Sequence, residues 1–409
     1  MTARKKIYIQ NLFVFLLLLS AYLGATLFLF HRQTVTYGGN YPSDIPPYTA
    51  HMQGQDTGYD FPYPILFLTG KLFLPFTSPV HAMALAVTLL NGLTPFALKY
   101  CFDRCLQVQD AENAKRGMLS SLLVFSLLFV SMLYPLTWLG QYHPMGENFL
   151  HRYLGTFTPN PYHNATYLTA RPLSVPAFFL FADILTFYEK EDSWVHPKYI
   201  CFSFFLFLTT LAKPSFTLVL VSAAGIIMLW RLVIGRLRRL KVFFQLGIWF
   251  IPTLLVLLYQ FGSVFRPGSD TGDSGVGFGF LTAWSMLTDH IPLSVLLATA
   301  FPMTVLLFGL LHKEISDLQK FSWQFFLTAL LTLAFLYEKG YRLAHVNFSW
   351  GYMYGLFFTY AVGLIVLTEN TLRRRQPVWQ LAVQWGVYGL HLVCGIDYFR
   401  ILLQGGLFH

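Results

Sequence analysis

The chain of 409 residues is 55% hydrophobic and only 11% charged, with a formal charge of +9 and a mean hydropathy of +0.52. This composition excludes a soluble globular protein and a disordered chain, and it points to a multi-pass membrane protein. The positive charge lies beside apolar runs and reads as a topology signal, so no nucleic-acid partner is expected.

The first apolar run, Ile7 to Phe30, is too long for a signal-peptide core and lacks a small-residue cleavage site. It is expected to remain as a signal anchor and first helix. Further runs follow at Val80 to Phe102, Leu119 to Leu139, Leu173 to Tyr188, Tyr199 to Leu211 and Phe216 to Ile234. The series continues with Val242 to Phe261, Ile291 to Leu311, Phe321 to Tyr337, Gly351 to Leu367 and Leu381 to Leu402. The expected fold is all-α, a polytopic integral membrane protein with one transmembrane domain over residues 1–409 and about eleven spans of roughly 20 residues. Ile65 to Phe76 is too short to cross and is expected as a re-entrant or interfacial helix.

Most Lys and Arg fall on alternate loops, among them Lys99, Arg104, Lys115, Arg116, the Arg236 to Lys241 stretch and Arg373 to Arg375. Basic residues near span ends are retained in the cytoplasm, which puts the N-terminus inside and the C-terminus outside. The opposite loops, 31–64, 140–171, 263–290 and 338–350, are richer in His, Tyr, Trp, Asn, Gly and Pro. They are expected to form the functional face, because loops on a rigid scaffold carry function disproportionately.

The loop after the first span gathers Asp44, His51, Asp56 and Asp60. Ser43 or Asp44 is placed to cap a helix whose first turn holds Pro46 and Pro47. A carboxylate of low mobility near the bilayer is also placed to take a proton from an acceptor hydroxyl, and the two roles are compatible. Tyr48 and His51 follow as candidate substrate-binding residues. In the second outer loop His143, Glu147 and His151 recur every four residues and would share one helical face. Such a stripe suits a divalent metal or a hydrogen-bonded polar ridge. Arg152 and His163 join the candidates there, and Asn164-Ala165-Thr166 and Asn347-Phe348-Ser349 match glycosylation sequons.

Arg171-Pro172 is expected to open the fourth span and Lys213-Pro214 to close the fifth. With Arg152, Arg266 and Arg342 they supply cations on the outer side, where a lipid-linked phosphate would pair with them. His345 and Trp350 lie in the last outer segment. Asp183, inside an apolar run, needs a partner and is read as structural or as a proton relay, while Asp397 and Arg400 have the spacing of a local ion pair. Cys101, Cys105, Cys201 and Cys394 form neither a disulfide framework nor a zinc pattern.

With Asp44 in Ser43-Asp44-Ile45-Pro46-Pro47-Tyr48 directly after the first span, the chain resembles the GT-C superfamily of polytopic glycosyltransferases, whose members carry a functional Asp or Glu in a long first outer loop. Tyr59-Asp60-Phe61-Pro62-Tyr63-Pro64 is similar to the Tyr-Pro-Pro-Leu stretch leading into their second helix, with one residue inserted between the prolines. The resemblance implies transfer of a sugar from a polyprenyl-phosphate-linked donor to a glycan, lipid or protein acceptor on the extracytoplasmic face. It makes Asp44 the base, with Glu147 and Asp60 as the other candidate carboxylates, outer Arg or Lys on the leaving phosphate, and aromatic residues on the sugar. Family members differ in metal use, which leaves a divalent metal open. The alternatives are a lipid-linked polysaccharide polymerase or ligase, an acyltransferase with an essential His, and a transporter or flippase. The sparse intramembrane acids and lack of an internal repeat disfavour the last.

Overall fold

The computed structural model describes residues 3–35, 40–108, 115–136, 157–265 and 275–406. Its helices are α1 (Ala3–Val35), α2 (Ile45–Met52), α3 (Ile65–Phe73), α4 (Pro79–Gly92), α5 (Thr94–Cys105), α6 (Arg116–Leu127), α7 (Ala165–Phe187) and α8 (Pro197–Ala212). There follow α9 (Pro214–Ile234), α10 (Leu240–Gly247), α11 (Ile251–Val264), α12 (Ile291–Leu311), α13 (Asp317–Phe335), α14 (Ser349–Leu372) and α15 (Val378–Leu403). Among the described residues, eight helical stretches are long and apolar enough to cross a membrane, and Arg116–Leu127 and Pro197–Ala212 are shorter apolar helices. The protein is therefore a helical, multi-pass membrane protein.

Helix α14 lies at the centre. Nearly all its side chains are buried, as expected for a helix apolar on every side. Small residues let its neighbours approach: a Cβ on Gly355 would press on Phe326 and Ala329 of α13, and one on Gly363 would touch Phe301 of α12. By contrast α1 and the α10–α11 stretch leave most of their apolar surface outward, where lipid takes the place of a packing partner.

The two ends of the bundle differ. At one, Arg104 grips both oxygens of Asp183 at 2.7 and 2.9 Å, and Lys198 adds a third contact at 3.1 Å. Arg116 and Arg373 meet on Glu369, and Arg239 pairs with Glu189. Asp183 is thus an anchored structural carboxylate. At the other end, the strands Val276–Phe278 and Leu336–Glu338 pair antiparallel, joining the segment before α12 to the one after α13. The Tyr41 hydroxyl donates to the Leu403 carbonyl, tying the first loop to the end of α15.

Two expected spans begin or end elsewhere. The Leu119 to Leu139 run stops being helical at Leu127, and residues 137–156 lie outside the described residues. The carbonyls at and just past the end of α6 are taken by side chains from 157–164: Asn160 donates to Leu127 and Val130, and Tyr162 to Leu128. The non-helical backbone that follows borrows helix carbonyls, Ser131 N–H from His391 and Leu133 N–H from Leu297. Irregular backbone is tolerated in a membrane protein where protein encloses it in this way. The fourth span opens at Ala165 rather than Arg171, because Asn164 caps it by accepting from Tyr167 N–H. Pro172 and Pro176 consequently lie inside α7. The Asp397–Arg400 ion pair forms as expected, at 2.8 Å.

Backbone meets backbone where 128–131 crosses α15. A Cβ on Gly395 would sit on the Phe129 carbonyl, whereas one on Gly389 of the same helix meets nothing within 4 Å. Gly395→Ala is expected to destabilise the protein by about 2 kcal/mol or more, seen as a lower melting temperature in detergent, with Gly389→Ala as a near-neutral control.

Candidate functional site

The site begins with a helix cap that cannot form. Asp44 occupies the N-cap position of α2, where its carboxylate would accept from the N–H of the second or third helical residue. Those residues are Pro46 and Pro47, which have no N–H. Ser43 Oγ instead accepts from Ile45 N–H and donates to the Gln33 carbonyl. Asp44 makes no capping bond, so of the two residues expected to serve α2, Ser43 and Asp44, it is Ser43 that does, and the Asp44 carboxylate accepts from Asn164 Nδ2 at 2.5 Å.

Asn164 is the pivot. Besides capping α7 and holding Asp44, its Oδ1 accepts from Lys213 Nζ at 3.1 Å and from the Thr166 hydroxyl at 2.9 Å. Lys213 also donates to Thr166 Oγ1 at 2.9 Å, and its ammonium stands 4.6 Å from the centre of the Trp350 ring. Lys213 comes from the junction of α8 and α9, where its extended backbone caps α9 ahead of Pro214. The backbone closes the arrangement, since Asp44 N–H donates to the His163 carbonyl. The His163 ring lies 5.6 Å from that of Trp350, and the Tyr48 hydroxyl lies 3.4 Å from Thr166 Oγ1.

Electrostatics here are set by burial. Burial raises Asp44 above the usual carboxylate range, opposed by Lys213, by the Asn164 hydrogen bond and by His345. Burial likewise pushes the Lys213 ammonium down to about 8, opposed by Asp44 and Glu338. Each charged form therefore depends on the other for its stability. The Tyr63 phenol is pushed up by burial, with Arg342 opposing and the Glu338, Asp44 and Asp60 carboxylates reinforcing, so it stays a neutral hydroxyl.

A second layer holds this pair. Glu338 accepts from Arg342 Nε at 3.1 Å and from Asn347 Nδ2 at 2.5 Å, and Trp350 Nε1 reaches Asn347 Oδ1 at 3.4 Å. Between them Val346 takes a left-handed conformation, φ 47° and ψ 43°, costly for a β-branched residue. Its turn is what sets Asn347 over Glu338 and leads into Trp350. Asp60 accepts from the Ser263 hydroxyl, and Gln260 fixes the same loop by donating to the Pro62 and Thr210 carbonyls. Exposed Tyr59 lies 5.8 Å from the exposed His345 ring, and His51 packs on Phe61 and Phe67.

Asp44, Tyr48, His163, Lys213 and Trp350 thus converge, with Arg342, His345 and Asp60 around them. His143, Glu147, His151, Arg152 and Arg266 lie outside the described residues. Arg171 departs from expectation. It does not offer its charge at an outer surface but is wholly enclosed, donating to Asn160 at 2.6 Å and Asn91 at 2.9 Å. Starting α7 at Ala165 carries Arg171 almost two turns into the bundle. Asn164 and Glu338 hold this arrangement together through their hydrogen bonds and were not among the site residues expected from the sequence. Asn164 matches a sequon, but its side chain is buried and fully engaged; an Asn followed at once by a long apolar run is also a cap signature.

Comparison with known proteins finds no match among family models, curated proteins or solved structures. Among the described residues no group of three or more His, Cys, Asp or Glu could hold a metal ion, and the His143, Glu147 and His151 stripe lies beyond them.

Replacing Asn164 with Ala removes a cap, worth about 1 kcal/mol, and strands two buried partners, worth about 1–3 kcal/mol. Asn164→Ala is expected to lower stability by about 2–4 kcal/mol, measured by thermal or denaturant unfolding, while Asn164→Ser recovers the cap part alone.

Proposed function

We infer that the chain is a membrane glycosyltransferase of GT-C type that moves a sugar from a polyprenyl-phosphate-linked donor to an acceptor hydroxyl on the extracytoplasmic face. On this reading the eight long apolar stretches, with α6, α8 and α13, make eleven crossings. The Arg-rich end around Asp183 then faces the cytoplasm by the positive-inside rule, and the Asp44 end faces out.

The observation that carries the proposal is the Asp44–Asn164–Lys213 arrangement against Trp350. A half-buried carboxylate released from capping is held beside a buried ammonium and an indole face, at the end of the bundle poor in basic residues. In the reaction Asp44 takes the proton of the acceptor hydroxyl. The acceptor oxygen bonds to the anomeric carbon from the face opposite the phosphate, and the sugar–phosphate C–O bond breaks with inversion. Polyprenyl phosphate leaves with the bond's electron pair, and the Lys213 ammonium compensates the charge that builds on it. A preorganised cation in a site that excludes water is the larger contribution to such a step, and the positioned base adds about 10²–10⁴-fold. Arg342, bound to Glu338, shapes the site without a free charge, and Trp350 offers a flat apolar face to a sugar ring.

In a reconstituted assay with pooled polyprenyl-phosphate sugars, Asp44→Asn is expected to lose about 10²–10⁴-fold in turnover while melting like the native protein. Native turnover that survives the change would remove Asp44 from the mechanism. The pH profile is expected to be bell-shaped. Activity rises as Asp44 loses its proton, above the ordinary carboxylate range, and falls as pH passes about 8, where Lys213 loses its charge. Lys213→Arg is expected to remove the alkaline limb, because a guanidinium does not titrate there.

A further inference from the structure

We propose that His31 and His81 form a binding site for a late first-row divalent cation such as Zn²⁺ or Cu²⁺, clipping the end of α1 to the start of α4. The inference does not depend on the proposed activity. The two Nε2 atoms face each other at 3.1 Å, with ring centres 4.7 Å apart. Ligand nitrogens about 2.0–2.1 Å from a metal and separated by that distance subtend roughly 100° at the ion, between square and tetrahedral geometry.

The site has an orienting partner. Ser78 Oγ lies 2.6 Å from His81 Nδ1, and a hydroxyl accepting Nδ1–H leaves the Nε2 lone pair free for a metal, the outer-shell arrangement that fixes metal-binding histidines. His31 and His81 sit in the wall of a groove of about 410 Å³ lined otherwise by Gly24, Leu27, Phe28, Thr77, Ala84 and Leu85. It leaves room for water or an anionic oxygen to complete the coordination. Arg32 opposes the cation's charge, but its guanidinium is drawn 5.4 Å from the Phe28 ring centre. Imidazole pairs suit Zn²⁺, Cu²⁺ and Ni²⁺, with Cu²⁺ the tightest of these. The competing arrangement is a hydrogen bond between two neutral imidazoles with no metal.

The test uses full-length protein in detergent, carrying no histidine tag and stripped with a chelator, then titrated with Zn²⁺ and separately with Cu²⁺. About one ion per chain is expected, with a Cu²⁺ electron-spin spectrum showing two nitrogen ligands and a melting temperature that rises with Zn²⁺. His31→Gln and His81→Gln should each abolish that binding and the stabilisation. Ser78→Gly, which glycine's competence as an N-cap lets fold, should weaken binding about 10–100-fold. Absence of saturable binding, or binding that both histidine variants retain, would overturn the proposal and leave the hydrogen-bonded pair.

Discussion

A guanidinium enclosed in an apolar bundle has to be given its hydrogen bonds where it lies, and that requirement at Arg171 organises the Asp44 end of this protein. No water reaches the side chain, so Asn160 and Asn91 supply oxygens while the Phe357 ring lies 5.2 Å away. Asn91 is on α4 and is itself bonded to the Tyr22 hydroxyl of α1. Asn160 belongs to the segment that also receives the open end of α6. One buried cation therefore joins α1, α4, α6 and α7. Removing a member of such a network would leave the others stranded in a low dielectric.

The functional geometry follows from that anchorage. Once 157–164 is held against α4 and α6, Asn164 has one place to start α7, and from there its two amide atoms reach Asp44 and Lys213. The capping geometry completes the arrangement from the other side. With Pro46 and Pro47 in the first turn, α2 asks nothing of the Asp44 side chain, and Ser43 satisfies the single N–H that is left. A carboxylate in the N-cap position would ordinarily spend its lone pairs on the backbone; here the two prolines leave them available.

Much of the fold was legible from apolar run lengths, because in lipid a helix must satisfy its own backbone and advertises itself by composition. Asp44 was legible as well, since a carboxylate beside a bilayer is conspicuous, although its freedom from capping follows only when the prolines are placed at the second and third helical positions. What escaped were residues whose role depends on distant partners. Asn164 looks like a sequon and Glu338 like a loop acid, and Arg171 next to Pro172 looks like a helix boundary. Nothing local distinguishes an Asn that bridges an Asp 120 residues away from one that waits for solvent. The break in α6 was hidden for the same reason: the run to Leu139 is apolar, and the groups that end its helix lie at Asn160 and Tyr162.

Burial makes the Asp44 and Lys213 pair responsive to what enters it. Burial biases each group toward neutrality, and each sustains the other's charge. On the proposed reading the arriving donor carries an anionic phosphate. A negative charge beside Lys213 favours its ammonium form, and the ammonium in turn favours the Asp44 carboxylate, while the phosphate's own field strengthens that carboxylate's pull on a proton. Donor binding would then hold Lys213 in its charged form, while the ammonium and the phosphate pull the Asp44 proton affinity in opposite directions and leave the buried carboxylate a stronger base than a solvated one. A site for moving an anion across the membrane would need to release it again from an equally favourable complex. A site that breaks the sugar–phosphate bond instead gains most as charge grows on the leaving group, and a buried ammonium held in place beforehand meets that charge without reorganising.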